Sequence, residues 1–325
     1  MSIHVRGMVI GIAGCLVMAS ASAQQFPTKP LRIIVPFPPG GTVDIMGRVV
    51  AQGMSEDLGQ QVIVENRAGA NGTIGAAFVS KSAADGYTML VTASVLLGTP
   101  LVTSNVPYDP QKDLTPISNL GSVPLLVVVH PSVPANTFSE FISTVRANPG
   151  KHAFATSALG SAGHLASEMI KRDGRLDILV VGYKGTAPAI IDLVGGQVTS
   201  MVDAIPSAYA QVKAGKLRAL AVTTAKRLSF LPDLPTVIES RVPGFENFEM
   251  VSWYGVWGPA GLPKDITDKL SASAAKAIRS KLAEERLATQ NFLTVGSNAA
   301  EFAAYIASET DKYKKLVEDA KIKKE

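Results

Sequence analysis

The feature that most constrains the fold of this 325-residue chain is the alternation of short β-branched runs with longer segments of helical period. Such alternation is typical of α/β architecture with mostly parallel strands. The pattern predicts strands at 31–37, 62–65, 87–92, 152–156, 178–182, 200–204 and 217–223. It predicts helices at 44–58, 72–84, 137–147, 162–172, 187–194, 207–214, 264–280, 281–290 and 299–320.

Two apolar stretches break this alternation. Around 117–129, two apolar strands flank Pro124 with no helix between them, and 251–257 is a further apolar strand without a neighbouring helix. Both are expected of strands that cross between two domains. The sequence therefore predicts a hinged clamshell of two α/β domains, 24–123 plus 250–325 and 124–249. Its cleft should lie at the carboxyl ends of the strands.

The N-terminal segment predicts export. A short start that carries Arg6 precedes an apolar run too short to cross a bilayer, and Ala21-Ser22-Ala23 forms a small-residue cleavage site. We therefore predict a signal peptide over 1–23 and a periplasmic mature protein. Gly14-Cys15 also resembles the end of a lipobox. The alternative prediction is therefore that Cys15 is acylated and tethers the protein to a membrane.

Composition narrows the chemistry. Charged residues make up 18% of the chain and the formal net charge is +4, without a basic patch interleaved with aromatic residues, which argues against nucleic acid as a partner. Cys15 is the one cysteine, and the four histidines are not spaced as zinc ligands. The sequence predicts neither a metal site nor a cofactor.

The first candidate binding loop follows the strand at 31–37. Pro38-Pro39 end the strand, Gly40 and Gly41 permit a tight turn, and Thr42 is the predicted N-cap of the next helix. Amides at such a helix start carry partial positive charge and suit an anion such as a carboxylate. Asp44 is predicted either to cap this helix or to hold water or a ligand donor. An ordinary strand-to-helix turn is the competing interpretation.

The second candidate loop runs from Thr156 to His164 and also joins a strand to a helix, with Ser161 as its predicted N-cap. His164 beside Ser157 or Ser161 raises the alternative of a serine hydrolase. The Gly-x-Ser-x-Gly nucleophile elbow is absent, so a local hydrogen bond or packing role for His164 is the favoured interpretation.

A third candidate is a single acidic side chain. Asp203 follows the apolar residues 200–202 at the end of a predicted strand. It is predicted either to orient a ligand or to cap a turn.

A resemblance adds to this reading. From Lys29 onward the chain resembles the substrate-binding receptors of tripartite tricarboxylate transporters, often called Bug receptors. The matching pieces occur in order along nearly all of the mature chain: 29–37 (KPLRIIVPF), 40–44 (GGTVD), 64–67 (VENR), 85–88 (DGYT), 106–110 (VPYDP), 183–185 (YKG), 195–198 (GGQV), 215–222 (GKLRALAV) and 234–237 (LPTV).

The resemblance implies a type II-like periplasmic-binding-protein clamshell that closes on a small organic acid. It implies that backbone amides and bridging waters, not an arginine, hold the carboxylate. It carries a binding role onto Gly41, Thr42, Asp44, Ser157, Gly160, Ser161 and Asp203. It further implies a monomeric receptor, not an enzyme, that serves a large and a small integral membrane subunit, or alternatively a sensor for a signalling partner.

Two departures from the family pattern bear on the ligand. Residues 93–98 (ASVLLG) are mostly apolar where relatives often have polar side chains, and Ala204 follows Asp203 where asparagine is common. Both suggest a less polar distal pocket, suited to an aromatic or short aliphatic acid.

Overall fold

The computed structural model describes residues 26–288 and 291–324, so the predicted signal peptide and Cys15 lie outside the described residues. The strands are β1 Leu31–Val35, β2 Val62–Asn66, β3 Thr88–Ala93, β4 Leu114–Val129, β5 Ala153–Thr156, β6 Leu179–Gly182, β7 Ser200–Ala204, β8 Arg218–Val222, β9 Val251–Pro259 and β10 Leu293–Thr294.

The helices are α1 Thr42–Leu58, α2 Thr73–Ser80, α3 Val95–Val102, α4 Phe138–Ala147, α5 Ala162–Gly174, α6 Thr186–Val194, α7 Ile205–Lys213, α8 Lys264–Ile278, α9 Lys281–Leu287 and α10 Ala299–Asp319. The helix α3, with Pro100 inside it, and the short strand β10 were not predicted from the sequence. The sequence analysis assigned no element to the residues of α3, because a run of eight residues is too short for a helical period to be recognised.

The strands form one curled sheet with the path β2-β1-β3-β9-β4-β7-β5-β6. In the first half-sheet, β2, β1 and β3 are parallel, and β9 runs antiparallel between β3 and β4. In the second half-sheet, β5 pairs in parallel with β6 and β7, while β7 and β8 pair antiparallel with β4. The parallel strands joined by helices confirm the predicted α/β class, and the arrangement is that of a two-domain periplasmic-binding-protein clamshell.

The strand β4 joins the two half-sheets. It pairs with β9 up to Pro124 and with β7 from Leu125 onward. The sequence predicted two strands, one before and one after Pro124, whereas the structure has a single strand of 16 residues. Proline is tolerated here because it has no N–H to donate and stands where the strand changes partners.

The side chain of Thr223 ties both crossing segments together at this change of partner. Its hydroxyl donates to the Met250 carbonyl at 2.6 Å and accepts from the Leu125 amide at 3.3 Å. Thr223 is fully buried. Leu125 begins the second half of β4 and Met250 immediately precedes β9, so one hydroxyl fixes the spacing between the two connections.

The apolar cores differ on the two faces of the sheet. On one face of the sheet, a single apolar cluster extends over both halves, and we call it the shared core. It includes Leu96 and Trp253 from the first half and Phe141 and Leu165 from the second. On the opposite face, one cluster packs on the first half-sheet and a separate one on the second. Helix α10 belongs to the shared core from Phe302 to Leu316. The two halves are therefore joined by packing on one face and divided on the other.

Candidate functional site

The first predicted loop lies at the carboxyl end of β1. Its helix, α1, begins at Thr42, so the N-cap is Gly41 and the predicted N-cap role of Thr42 is wrong by one residue. The reason is backbone conformation: Gly41 is extended, with φ −79° and ψ 168°, whereas Thr42 is already helical. Because Gly41 has no side chain, no side-chain cap covers the first amides of α1.

The carboxylate of Asp44 holds this loop. It accepts hydrogen bonds from the Gly40 amide at 2.9 Å, from Arg48 Nε at 2.9 Å and from Asn66 Nδ2 at 2.8 Å. Burial by itself would raise the pKa of Asp44, but the hydrogen bonds from Arg48, Gly40 and Asn66 together lower it below the ordinary value. The residue is 3% exposed, and these three hydrogen bonds make its carboxylate the anchor of the loop.

The second predicted loop leads into α5. Ser161 is the N-cap, as predicted, and its hydroxyl accepts from the His164 amide at 3.1 Å. Earlier in the loop, the carbonyl of Ser157 accepts from the Gly185 amide at 2.8 Å. This bond joins the turns that follow β5 and β6, since the carboxyl ends of adjacent parallel strands lie at the same edge of the sheet.

The ring of His164 makes a local hydrogen bond, the interpretation that the sequence favoured. Its Nδ1 accepts from the Gly160 amide at 3.2 Å, and the residue is 4% exposed. Burial, reinforced by the charge of Lys171, lowers the pKa of His164 to about 4. The Ser161 hydroxyl lies 3.3 Å from the Thr156 hydroxyl and meets the His164 backbone, not its ring. This is not the geometry of a nucleophile and its base.

Asp203 occupies the end of β7 and is buried, with 7% of its surface exposed. Burial raises the pKa of its carboxyl group, against hydrogen bonds from Ser207, the Ala204 backbone and Thr186 that favour the charged form. The Ser207 hydroxyl is 2.7 Å from Asp203 Oδ2. Thr186 starts α6 and Ser207 lies in the first turn of α7, so both hydroxyls come from helix starts at the same edge of the sheet.

Tyr254 connects the two sides. It lies on β9 on the divided face of the sheet, where it packs in the core of the first half-sheet. Its side chain hydrogen-bonds with Ser252 and Thr42 and feels the charge of Asp203. Burial raises the pKa of its hydroxyl to about 12, with a further contribution from Asp203, so the phenol is neutral at physiological pH. Tyr254 thus interacts with Thr42 at the start of α1 and with the charge of Asp203 at the end of β7.

The comparisons with known proteins now identify the class. Residues 46–322 match the family model described as "Tripartite tricarboxylate transporter family receptor". The chain is 37% identical over 324 residues to Protein BugT of Bordetella pertussis, with 98% of each chain covered. It is 36% identical over 315 residues to the UPF0065 protein in the tcbD-tcbE intergenic region of Pseudomonas sp., with 96% of this chain and 93% of that protein covered. The chain belongs to the tripartite tricarboxylate transporter receptor family.

Solved structures agree. The periplasmic binding protein BugD matches with a TM-score of 0.80 and 33% identity over 92% of this chain and all of that one. The Rhodopseudomonas palustris proteins Rpa4515, solved with adipate, and MatC, solved with malate, match with TM-scores of 0.83 and 0.79 and identities of 35% and 30%. They cover 92% and 90% of this chain, respectively, and the whole of their own. The receptor is therefore one of a family of periplasmic solute-binding proteins.

Within 26–288 and 291–324, histidine, aspartate and glutamate side chains do not gather in groups able to hold a metal ion. Over the same residues, the helices lack the combination of length and hydropathy that a bilayer crossing requires.

Some site residues escaped the sequence analysis. Tyr254 lies in an apolar run that reads as core strand, so only the placement of β9 beside β3 and β4 reveals its position. Thr186 and Ser207 carried a weak signal, since each is a small hydroxyl residue at a strand-to-helix turn. The apolar run 93–98 was expected to line the pocket, but Leu96 and Leu97 pack in the shared core. The polarity of the pocket is not decided by these two side chains.

Proposed function

We propose that this receptor binds a small organic acid between its two half-sheets and delivers it to a membrane transporter with one large and one small integral subunit. The observation that carries the proposal is the site shared by Thr42, Tyr254 and Asp203. Here the neutral phenol of Tyr254 hydrogen-bonds with Thr42 at the start of α1, and the pKa of Tyr254 is raised in part by the buried carboxyl group of Asp203. The malate and adipate held by two relatives are acids of the proposed class.

The chemistry of the site supports recognition without a cationic side chain. The hydrogen bonds that fix Asp203 and Tyr254 come from hydroxyl groups and a backbone amide. A helix start offers an anion amide donors and partial positive charge, and neutral hydroxyl donors add to it without the cost of burying a cation. Such a site holds a carboxylate by hydrogen bonding and discriminates by the placement of the donors. Gly41, Thr42, Asp44, Ser157, Gly160, Ser161 and Asp203 remain the proposed site residues.

A thermal-shift screen of adipate, malate, citrate, benzoate and short aliphatic monoacids on the mature protein tests the ligand class. A ligand present at a hundred times its Kd stabilises the folded state by about 2.7 kcal/mol, which raises Tm by several degrees. Calorimetry on the best acid then gives Kd. If none of the acids raises Tm, the proposed ligand class fails.

Two substitutions localise the binding. Tyr254→Phe removes one hydroxyl from the proposed site, and we expect it to weaken acid binding about tenfold, the value of one hydrogen bond. The control is Tyr183→Phe, which removes a hydroxyl that donates to Asp192 at 2.8 Å. Equal effects of the two substitutions would argue against a site at Tyr254.

The less polar distal pocket remains a hypothesis about this site. Ala204 follows Asp203 and contacts both the shared core and the core of the first half-sheet. We expect aliphatic or aromatic acids to bind more tightly than citrate. Tight binding of citrate with no binding of monoacids would contradict this expectation.

The proposed domains are 24–123 plus 250–325 and 124–249, with 1–23 as a cleaved signal peptide. The change of partner of β4 at Pro124 supports the first boundary.

Small-angle scattering should show a smaller radius of gyration with bound acid if the domains close. Intact mass of the exported protein separates cleavage after Ala23 from acylation at Cys15, and light scattering tests the expected monomer. Uptake of labelled acid by cells with and without the receptor separates transport from sensing.

A further inference from the structure

The loop that precedes α5 has little conformational freedom. Gly160 has a φ of +78°, the left-handed region that favours glycine, and it stands immediately before the N-cap Ser161. Its amide donates to His164 Nδ1, four residues further along, at 3.2 Å. The Ser161 hydroxyl accepts from the His164 amide at 3.1 Å. His164 therefore binds its own loop twice, through the ring and through the backbone.

The opposite side of this loop contacts the first half of the molecule. A Cβ atom on Gly98 would lie 2.0 Å from the Gly160 carbonyl oxygen, and one on Gly160 would lie 2.4 Å from the Thr99 amide nitrogen. The Thr99 hydroxyl also donates to the Leu159 carbonyl at 3.4 Å. Helix α3 thus abuts the loop backbone directly. Any shift of Gly160 changes the contact between the two halves of the receptor.

The chemistry of the histidine bond sets its protonation state. A ring nitrogen that accepts an amide hydrogen carries no proton, so the neutral ring has its proton on Nε2. His164 also lines a cavity of about 220 Å³ with Glu168 and Lys171 of α5 and the C-terminal residues 320–323, which include two lysines. A positive ring would be opposed by burial and by the charge of Lys171, and it would lose the bond to Gly160. The neutral tautomer is the one that this environment favours.

We propose that His164 is a positioning residue for acid binding: its Nδ1 holds the Gly160 amide, and through it sets where the first amides of α5 stand at the cleft. This inference rests on the proposed function. The amides of Ala162 and Gly163 have no acceptor within the helix, because they belong to its first turn. Their direction is fixed by the loop that precedes them.

The first test needs no ligand. With ¹⁵N-labelled histidine, long-range ¹H–¹⁵N spectra of the full mature receptor should show the proton on Nε2 and a bare Nδ1 at neutral pH. Hydrogen exchange at the Gly160 amide should be slow in the parent, at least tenfold faster in His164→Leu and slow again in His164→Asn, whose side-chain oxygen takes the place of Nδ1. A proton on Nδ1, or unchanged exchange in His164→Leu, would overturn the proposal.

The second test uses adipate as the probe, in titration calorimetry. We expect His164→Leu to weaken adipate binding about tenfold and His164→Asn to stay within about threefold of the parent, because only the asparagine keeps an acceptor. The matched control is His130→Leu, since His130 lies in the same proposed domain and its ring makes local hydrogen bonds with Ser132. A loss in His164→Asn equal to that in His164→Leu would assign the effect to packing and overturn the proposal.

The two proposals fail separately. If the parent binds neither adipate nor any other acid of the screen, the proposed ligand class fails, while the tautomer and the Gly160 exchange still decide whether His164 holds the loop. If the parent binds adipate and His164→Leu binds it equally well, the positioning role fails and the receptor function stands.

Discussion

The two candidate loops share one backbone design but use acceptors of different charge. In each, a glycine with positive φ precedes the N-cap and donates its amide to the side chain four residues later: Gly40 to Asp44 at 2.9 Å, and Gly160 to His164 at 3.2 Å. The first acceptor is a carboxylate partnered by Arg48 and Asn66, and the second is a neutral ring. The same turn can therefore be anchored by ionic bonds or without charge.

The loops differ also in what surrounds them. A Cβ on Gly40 would meet nothing within 4 Å, whereas one on Gly160 would clash with the backbone of α3. The first loop therefore has open space beside Gly40, and the second is packed at Gly160 against the first half of the molecule. We therefore expect a change in the relative position of the two halves to affect the second loop more directly than the first.

The largest expected effect separates strain from contact. Gly40→Ala and Gly160→Ala both place a side chain at positive φ, which costs about 1–2 kcal/mol. Only Gly160→Ala adds a clash with the backbone of α3 at Thr99, so we expect it to lower the free energy of unfolding by about 2–5 kcal/mol in total. Urea denaturation of both variants checks this. Equal losses would mean that the second loop is no more confined than the first.

The next effect is a pH dependence. The folded pKa of His164 is about 4, below its ordinary value, so the unfolded chain binds the extra proton first. Its contribution to stability is therefore complete above about pH 6.5 and is lost as the pH falls to about 4, up to about 3 kcal/mol. Thermal unfolding from pH 7 to 4 should show a shallower slope in His164→Leu. The ring faces Glu168, Lys171 and the C-terminal lysines, and these stay in both proteins.

The pKa of Asp44 is lowered in the folded protein, so Asp44 contributes stability above the ordinary carboxyl pKa. That contribution is lost at lower pH than the contribution of His164, as the pH falls through the ordinary carboxyl range toward the folded pKa of Asp44. Asp44 and His164 should therefore lose their contributions to stability in different pH ranges. Coincident losses in His164→Leu and the parent would contradict the assignment of the higher window to His164.

A smaller effect concerns the first anchor directly. Asp44→Ala removes the acceptor of the Gly40 amide and of Arg48 Nε and leaves Asn66 Nδ2 with the Phe37 carbonyl. We expect a loss of about 2 kcal/mol, since Gly40 is exposed and water replaces part of the bonding. The control on the same helix is Asp57→Ala, which breaks an ion pair with the exposed Lys276. That change should cost less than about 1 kcal/mol. Similar costs would remove the distinction between anchor and surface pair.

The smallest effects compare the two N-caps. Ser161→Ala should cost about 1 kcal/mol because the hydroxyl bonded to the His164 amide is lost. Gly41→Ser should stabilise by a few tenths of a kcal/mol, since the extended Gly41 has room for a Cβ, 3.9 Å from the Pro38 carbonyl oxygen. Calorimetric Tm values check both. A destabilising Gly41→Ser would show that the open helix start of α1 is a feature that the fold requires.

Much of the fold could be predicted from local pattern. The α/β class, most strands to within two residues, the N-cap Ser161 and the local bond of His164 follow from periodicity and capping chemistry, which act over a few residues. Helix α3 and the single strand through Pro124 could not be predicted, because they depend on the neighbours that β4 and α3 acquire in the folded sheet.

The sequence by itself determined the two glycine turns that open α1 and α5, because positive φ and helix capping are properties of adjacent residues. Only the tertiary structure decided what these turns face. Tyr254 hydrogen-bonds with Thr42 and is influenced by the charge of Asp203, and Gly98 packs against Gly160, because strands and helices distant along the chain become neighbours in the curled sheet. Turn and capping residues pointed to the two candidate loops, and the family resemblance proposes a binding role for them; the packing of β9 and α3 against these loops explains how the two halves meet there.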